Sequence, residues 1–563
     1  MVRGEAVVMT VAGRNSGGSR GRQERAVEPA GMPRGRWAVP VIAAAAALAV
    51  LPQCFLGSAS GHDFIFHLET WLDGAKYSGL SGWSALSNFG YGEPRFIFYP
   101  PLTALLGSAM ARFLPVNLVA GSYAFVVLAA AGLAMFALAQ RCLPAAHALV
   151  AAAFYAVNPY LLLCLYQRGA FAEMLACALG PLLILFALET GESSRGIVPL
   201  GVVLAGFWTA DLPAAVLATY AVAFLALLLA WQRRSWAALP RAAAALALGL
   251  ALAAFYVYPA AYERPWVQIG VLFEGGPWDW KYIFHYDSIP GPVHRWFPAM
   301  INSMAAGEAA LTIAGAVFSW RWRQEHRTAW LALAGLGGMA GFLLLPASRP
   351  LWQYLPELAY VQFPWRCLLL LTPCLTLLVT ASLSRFSARW AAGFLLAVAL
   401  AGGIAATATA WWYPQVGNRF EAYLRTFHGY MGHEGFIPQG GDPDTFMRFH
   451  DAPEAVATGP RASVRVVEWA PRAKTVVVSS PVFTRLVLHL VSYPAWQLRV
   501  NGVPAPAERN RIGCVVVPLS PGESRVELTF RRTADRNLGL AISLFAGLVL
   551  AAALLLPLLR LRK

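Results

Sequence analysis

Charged side chains are scarce in this chain: Asp, Glu, Lys and Arg make up 13% of its 563 residues, against 58% apolar residues. Soluble domains carry about 25% charged and roughly 45–50% apolar residues, so the shortage excludes a soluble enzyme, a disordered chain and a disulfide-rich secreted module. Acidic residues are the scarcer sign, 29 against 44 Lys plus Arg, for a formal net charge of +15. The basic residues fall in short runs between apolar stretches, which is how membrane loops are oriented, so no nucleic acid is expected as a partner. Cysteine offers no framework either. Cys54, Cys142, Cys164, Cys177, Cys367 and Cys374 lie in or beside apolar runs and Cys514 stands alone in a polar region, so neither a disulfide set nor a metal–thiolate site is indicated. No internal repeat is evident.

What the chain has instead is long apolar runs. Residues 1–36, rich in Gly, Arg and Ser, read as a disordered basic tail. The first apolar span, Trp37–Gly57, follows; Ser58-Ala59-Ser60 would suit signal cleavage, but the leader and the apolar core are both too long for a signal peptide. Basic runs at Gln232–Arg241, Arg321–Arg327, Ser384–Arg389 and Arg560–Lys563, with Arg20, Arg22, Arg34 and Arg36 at the front, place these segments and both termini in the cytoplasm. Counting back from the Gln232 loop, Pro213–Trp231, Val198–Trp208 and Phe171–Leu188 cross, which leaves Asp211 and the Tyr166–Gly169 turn outside. Parity then requires one apolar segment between Gly57 and Arg141 not to cross. Phe98–Leu114 opens with Pro100-Pro101 and is short of the ~20 residues a span needs, so an interfacial or re-entrant helix is expected there.

The fold class expected is therefore a polytopic α-helical membrane protein of about twelve crossings plus an interfacial helix. Its parts are the tail 1–36, a membrane domain 37–411 with an outer loop 58–99, an extracytoplasmic module 412–536, and a last helix with a basic tail, 537–563. The module changes character completely. SVRVVEW (Ser463–Trp469), TVVVSS (Thr475–Ser480), RLVLHLV (Arg485–Val491), WQLRVNG (Trp496–Gly502) and RVELTF (Arg525–Phe530) alternate with period two between Pro, Gly and Asn, the pattern of a β-sandwich-like unit.

The first outer loop reads GHDFIFHLETW (Gly61–Trp71). Asp63 and His67, four apart, share one helix face, while Glu69 points elsewhere. An acid just after a membrane span, flanked by His62 and aromatics, reads as a general base on an acceptor hydroxyl, its pKa raised by partial desolvation. Asp63 reads equally well as an N-cap. A zinc site from His62, Asp63 and His67 has the wrong adjacency for three ligands from one helix.

That loop, together with NFGYGEPRFIFYPPL (Asn88–Leu102), YQRGAFAEMLA (Tyr166–Ala176), VQFPWR (Val361–Arg366) and YPAWQLRVNG (Tyr493–Gly502), resembles bacterial integral membrane proteins labelled as carrying a 6-pyruvoyl-tetrahydropterin synthase-related domain. Those are relatives of YfhO-like proteins in the GT-C glycosyltransferase superfamily. The resemblance runs through nearly the whole chain after the basic tail. The pterin label has no counterpart in these residues, which show neither a zinc-binding His cluster nor a folded polar domain. The resemblance implies a GT-C-like fold in the bacterial inner membrane, with a non-crossing helix after the first outer loop. It further implies transfer of a sugar from a polyprenyl-phosphate carrier, on the outer face, to a cell-envelope glycan, lipid or protein. The catalytic acid of that loop carries over onto Asp63. Where the family often shows EYLP before its C-terminal module, this chain reads EGFIP (Glu434–Pro438), so no role is carried onto Glu434.

Charged residues at outer helix ends complete the candidate site. Arg168, with Glu173 about one turn later, either forms a pair holding two helices or grips a lipid phosphate with its planar fork of donors. Arg366 either snorkels to the interface or binds the same phosphate. Asp211 positions the acceptor or caps the helix near Pro213, and Arg95 is a further candidate for the phosphate. His62 and His67 flank Asp63. The aromatics Trp83, Phe89, Tyr91, Phe96, Phe98 and Tyr99 read as an interfacial belt or as a platform for a sugar or isoprenoid. His428, His433, His450, Asp442 and Asp444 are spaced as solvated loop residues. The β-module either binds carbohydrate or covers the site. The leading expectation is a glycosyltransferase that requires no cofactor, a divalent metal being compatible but not indicated. A lipid or polysaccharide transporter and a non-catalytic envelope scaffold are the rivals.

Overall fold

Apolar runs bounded by Pro, Gly and basic residues become helices, and the breaks fall where those residues stand. The computed structural model describes residues 37–77, 82–273, 296–414 and 416–560; the expected basic tail 1–36 and the last residues of the C-terminal basic run lie outside the described residues. In chain order the main helices are α1 (Ala38–Leu56), α2 (Phe64–Tyr77), α3 (Pro101–Phe113), α4 (Val116–Ala139), α5 (Ala145–Ala156), α6 (Phe171–Glu192) and α7 (Ile197–Ala210). They continue as α8 (Leu212–Arg233), α9 (Ala238–Tyr262), α10 (Phe297–Phe318), α11 (Arg327–Leu343), α12 (Leu368–Leu383), α13 (Ala388–Ala408) and α14 (Ala534–Arg560). Proline opens α3, α8 and α10, where its fixed φ suits a first turn and its missing N–H is one that a helix start leaves unpaired anyway.

Among the described residues ten helices are long and apolar enough to cross a membrane, and α11 with the short helix bent 91° after it makes eleven. The expected twelfth crossing is not among them: α7, read from the sequence as a span, has 14 residues that rise only ~21 Å, short of the ~30 Å hydrocarbon layer. Its last residue, Ala210, accepts a hydrogen bond from Thr103 at 3.0 Å. The segment from Pro364 to Leu383 is central, with 83% of its most apolar window buried, whereas the windows in α1 and α14 are 11% and 17% buried and leave their sides to lipid. Helix α3 runs alongside α2. Trp71 Nε1 donates to Thr103 O at 3.1 Å near one end, and Arg112 to Ala75 O at 2.9 Å near the other.

A β-sandwich-like module follows α13. One sheet has four strands, β3 (Ala455–Ala457), β6 (Thr484–Val491), β10 (Cys514–Leu519) and β9 (Glu508–Arg509), in that spatial order. The other has five: β4 (Ser463–Ala470), β5 (Ala473–Ser480), β11 (Gly522–Phe530), β7 (Trp496–Val500) and β8 (Val503–Pro504). Alternation puts Val476, Val478, Leu486, Leu488, Leu528 and Phe530 inside.

The aromatics of the first loop are neither a belt nor an open platform. Trp83, Phe89, Tyr91, Phe98 and Tyr99 are buried and share the core of the module. Trp83 meets Trp496 edge-on at 5.4 Å, and Tyr91 stacks on His489 at 3.5 Å. Short strands β1 (Ser58–Ser60) and β2 (Trp411–Tyr413) pair antiparallel, and Glu263, at the end of α9, receives both Nε and Nη2 of Arg536 at 2.7 and 3.1 Å, together with the Tyr493 hydroxyl. Loop, module and helices therefore form one unit from Ala38 onward.

Candidate functional site

Two glycines let distant backbones touch. A Cβ at Gly61 would stand 2.2 Å from the carbonyl carbon of Arg168, and Gly169, at φ +62°, packs where a Cβ would lie 2.7 Å from that of Phe64. Asp63 N–H donates to Arg168 O at 2.8 Å. Arg168 itself ends a π-helical turn, Cys164–Arg168, an irregularity that gathers at functional sites. Neither glycine was singled out from sequence, because nothing local marks a position at which another segment must approach. Gly61→Ala is expected to destabilise the chain by about 1–3 kcal/mol through that overlap. Gly307→Ala, in a helix with nothing within 4 Å, should be neutral or stabilising. Thermal unfolding in detergent separates the two.

From this junction a line of charges runs inward. Arg168 Nη2 lies 3.7 Å from Asp63 Oδ2, and Nη1 donates to Glu173 Oε2 at 2.5 Å. Arg366 Nε approaches the same Glu173 oxygen at 3.4 Å, and the Tyr160 hydroxyl donates to the other oxygen. Arg366 also donates to Val361 O at 2.8 Å and to Gln362 Oε1 at 3.2 Å. Gln362 holds φ +63°, a strained value for a residue with a side chain and of the kind that collects around binding sites. Neither bare reading of Arg366 covers this: it does not snorkel freely, for its side chain is 12% exposed and tied to that turn. Trp365 stacks on Phe363 at 4.3 Å and meets Phe297 at 5.6 Å, while His62 meets Phe297 edge-on at 4.8 Å.

Asp63 is the accessible member. Its side chain is 42% exposed, whereas Arg168 and Glu173 are 3% and 2% exposed. Asp63 occupies the N-cap position, its carbonyl accepting the His67 N–H at 3.1 Å, but its carboxylate faces Arg168. Burial pushes its pKa up, yet Arg168, His67, Arg366 and His62 together outweigh that and hold the carboxyl below the ordinary carboxylate range. The expected rise is thus reversed, because the neighbouring cations outweigh the desolvation. Burial forces His67 down to about 4 against the pull of Asp63, with Arg168 and Arg95 adding to the fall; its Nδ1 shares a hydrogen bond with the Tyr99 hydroxyl at 2.6 Å.

Two expected members stand differently. Asp211 caps α8, accepting from Ala214 N–H at 2.8 Å, and feels the charges of Arg366, Glu173 and Arg168 without touching them. Arg95 is not available to a phosphate. It is fully buried, its Nε bonded to Glu93 at 2.6 Å, its Nη1 3.1 Å from the Thr70 hydroxyl and 3.9 Å from Glu69, with Phe66 and Tyr430 rings at 4.5 and 5.0 Å. Its Nη2 is buried without a hydrogen-bond partner among the described residues, so an incoming anion would have to enter a dry site beside Glu93 to reach it, which is costly.

Around Arg95 lies a second acidic group that sequence reasoning missed. Asp73 accepts from Ser84 and, at 2.9 Å, from Tyr430, and Glu93 accepts from the His433 backbone N–H at 3.0 Å. His433 is therefore no solvated loop residue; its ring stacks on Phe436 at 4.3 Å, and burial lowers it to about 4. Burial raises Glu69 to about 8, with Arg95 opposing and Glu93 and Asp73 adding, and raises Asp73 to about 6 against its hydrogen bonds from Ser84 and Tyr430. A carboxyl with a raised folded pKa holds its proton more tightly when folded, so it costs stability as pH climbs toward that value. His67 and His433 act in the opposite sense only below the ordinary histidine value of 6.5. Between pH 6.5 and 8 the thermal midpoint is therefore expected to fall, and Glu69→Gln should make that slope shallower.

Among the described residues no group of three His, Cys, Asp or Glu is placed to hold a metal ion. What the arrangement offers is an ionised, accessible carboxylate beside two guanidinium groups. It can accept a proton at Asp63 while an anion is held by the arginines. No family model matches this chain, and none of the curated proteins does.

Proposed function

We propose that this chain is a membrane glycosyltransferase of the GT-C kind, moving a sugar from a polyprenyl-phosphate carrier to a cell-envelope acceptor. The reading rests on one observation: Asp63, Arg168 with Glu173, and Arg366, from three separate parts of the chain, lie in one line of contacts of 3.7, 2.5 and 3.4 Å. Arg233, Arg234, Arg241, Arg321, Arg323, Arg385 and Arg389 stand at the helix ends opposite this group, which under the positive-inside rule supports an extracytoplasmic module face. In a bacterium the membrane would be the inner one, with both termini cytoplasmic.

In the reaction the acceptor oxygen attacks the anomeric carbon while its proton passes to the Asp63 carboxylate. The bond from that carbon to the carrier phosphate breaks, and its electron pair leaves on the phosphate oxygen. Arg168 and Arg366 hold this anion, and Glu173 keeps the two forks aligned toward it. Asp63 then returns the proton to water. A carboxylate of depressed pKa is a weak base, which suits a step in which the departing phosphate leads and proton transfer trails.

One observation favours a transporter instead. Glu308, well inside α10 and 4% exposed, is met among the described residues by a single hydroxyl, that of Thr372 at 2.8 Å, and buried acids in spanning helices mark ion and proton pathways. Purified chain in vesicles with a labelled polyprenyl-phosphate sugar decides. Label appearing on an added acceptor supports transfer. Label crossing the bilayer unconverted, and lost in Glu308→Gln, replaces the transferase with a transporter.

A further inference from the structure

Helix α3, with 13 residues, is too short for the ~30 Å hydrocarbon layer, and a cavity opens between α3, the end of α9 and the start of α14. Its walls include Tyr99, Leu105, Phe255 and Tyr256, and Arg532 and Arg536 stand at its rim; its volume is about 130 Å³. That is far below the volume that encloses a whole ligand and leaves room for a phosphate group, with any chains lying outside on the helix surfaces.

The two arginines differ in how far they are committed. Arg536 is 5% exposed and gives Nε and Nη2 to Glu263. Its Nη1 makes neither bond and points at the wall: a Cβ on Gly82, which sits at φ +88°, would lie 3.2 Å from it. Arg532 is exposed and makes no ion pair among the described residues. Below them the apolar side chains Leu102, Leu105 and Phe255 are 39%, 43% and 37% exposed on the outside of the helices. Cationic donors at the level where a spanning helix begins, with open apolar surface beneath, match an anionic head above hydrocarbon tails.

We propose that this cavity binds the phosphate of an anionic glycerophospholipid, held by Arg532 and the spare Nη1 of Arg536, with the acyl chains lying along Leu102, Leu105 and Phe255. The site is distinct from the Asp63 group and is independent of the transfer reading. Tyr99 is the link between them: it lines this cavity and is hydrogen-bonded to His67 at 2.6 Å, so an occupied cavity stiffens the wall behind the helix that carries the candidate base.

The test uses the full chain in detergent, with phosphatidylglycerol, phosphatidylcholine, a polyprenyl phosphate and inorganic phosphate as probes, and native mass spectrometry to count retained lipid. Phosphatidylglycerol should be retained over phosphatidylcholine. Arg532→Glu should weaken its retention roughly fivefold or more, since a surface arginine contributes about that much toward an anionic head, while Arg532→Lys restores most of it. Arg532 is exposed, so an unchanged thermal midpoint is expected and keeps the comparison clean. Equal retention of both glycerophospholipids, or no effect of Arg532→Glu, overturns the proposal. So does displacement of the lipid by inorganic phosphate at millimolar concentration, or by an equimolar polyprenyl phosphate.

Discussion

Asp63→Asn, in a chain that inserts normally, is expected to reduce sugar transfer by about 10²- to 10⁴-fold, the usual contribution of a positioned proton acceptor. The substitution separates the two roles open to this residue. Asn caps a helix about as well as Asp, so a residue that only begins α2 would tolerate it with little change in activity or stability. A residue that takes the acceptor proton would not, because an amide has no basic oxygen of comparable strength. The geometry favours the second outcome: the carboxylate is 42% exposed and 3.7 Å from Arg168, while its buried neighbours are occupied with one another. The pH profile supplies an independent readout. The surrounding cations hold the carboxyl below its ordinary range, so activity should persist on the acid side until below the usual carboxylate titration, and Asp63→Asn should abolish that acid limb. Transfer by Asp63→Asn within a few-fold of the parent would remove Asp63 from the chemistry.

Glu173→Ala should have the largest effect on stability. One carboxylate here serves two guanidinium groups, receiving Arg168 at 2.5 Å and Arg366 at 3.4 Å, with the Tyr160 hydroxyl on its other oxygen. Its removal leaves two cations facing each other in a site where Arg168 is 3% and Arg366 12% exposed. Breaking a buried pair from one side costs about 3–5 kcal/mol, because the stranded charge keeps its desolvation penalty without its partner. Thermal unfolding in detergent should show this as a large fall in midpoint, with Glu173→Gln intermediate. If the two arginines also form the phosphate site, a phosphate-bearing lipid should restore part of the lost midpoint in Glu173→Ala by standing in for the missing carboxylate, through preferential binding to the folded state. A variant destabilised but indifferent to such lipids would leave Arg168 and Arg366 as a structural clasp.

Much of the architecture was legible along the chain, for a physical reason. Hydrophobic length sets how far a helix can reach across a bilayer, and period-two alternation sets a half-buried strand; both are local properties. Four of the five alternating stretches read from the sequence lie within strands β4, β5, β6 and β11, and the fifth, Trp496–Gly502, fills β7 and runs on into the turn after Val500. Asp63, Arg168, Glu173 and Arg366 could be chosen as candidates because ionisable groups beside apolar spans are costly to keep there.

Tertiary structure alone decided how those candidates combine. Sequence cannot show that Gly61 must lack a side chain so that the Arg168 backbone can pass, or that Glu173 is shared between two arginines nearly two hundred residues apart. It gave no sign that Arg95 is locked against Glu93, or that the loop aromatics belong to the β-module core. The sign of the Asp63 shift was lost for the same reason. Desolvation can be guessed from a residue's place beside a span, but the opposing Coulomb contributions of Arg168, His67, Arg366 and His62 depend on distances that only the folded chain sets.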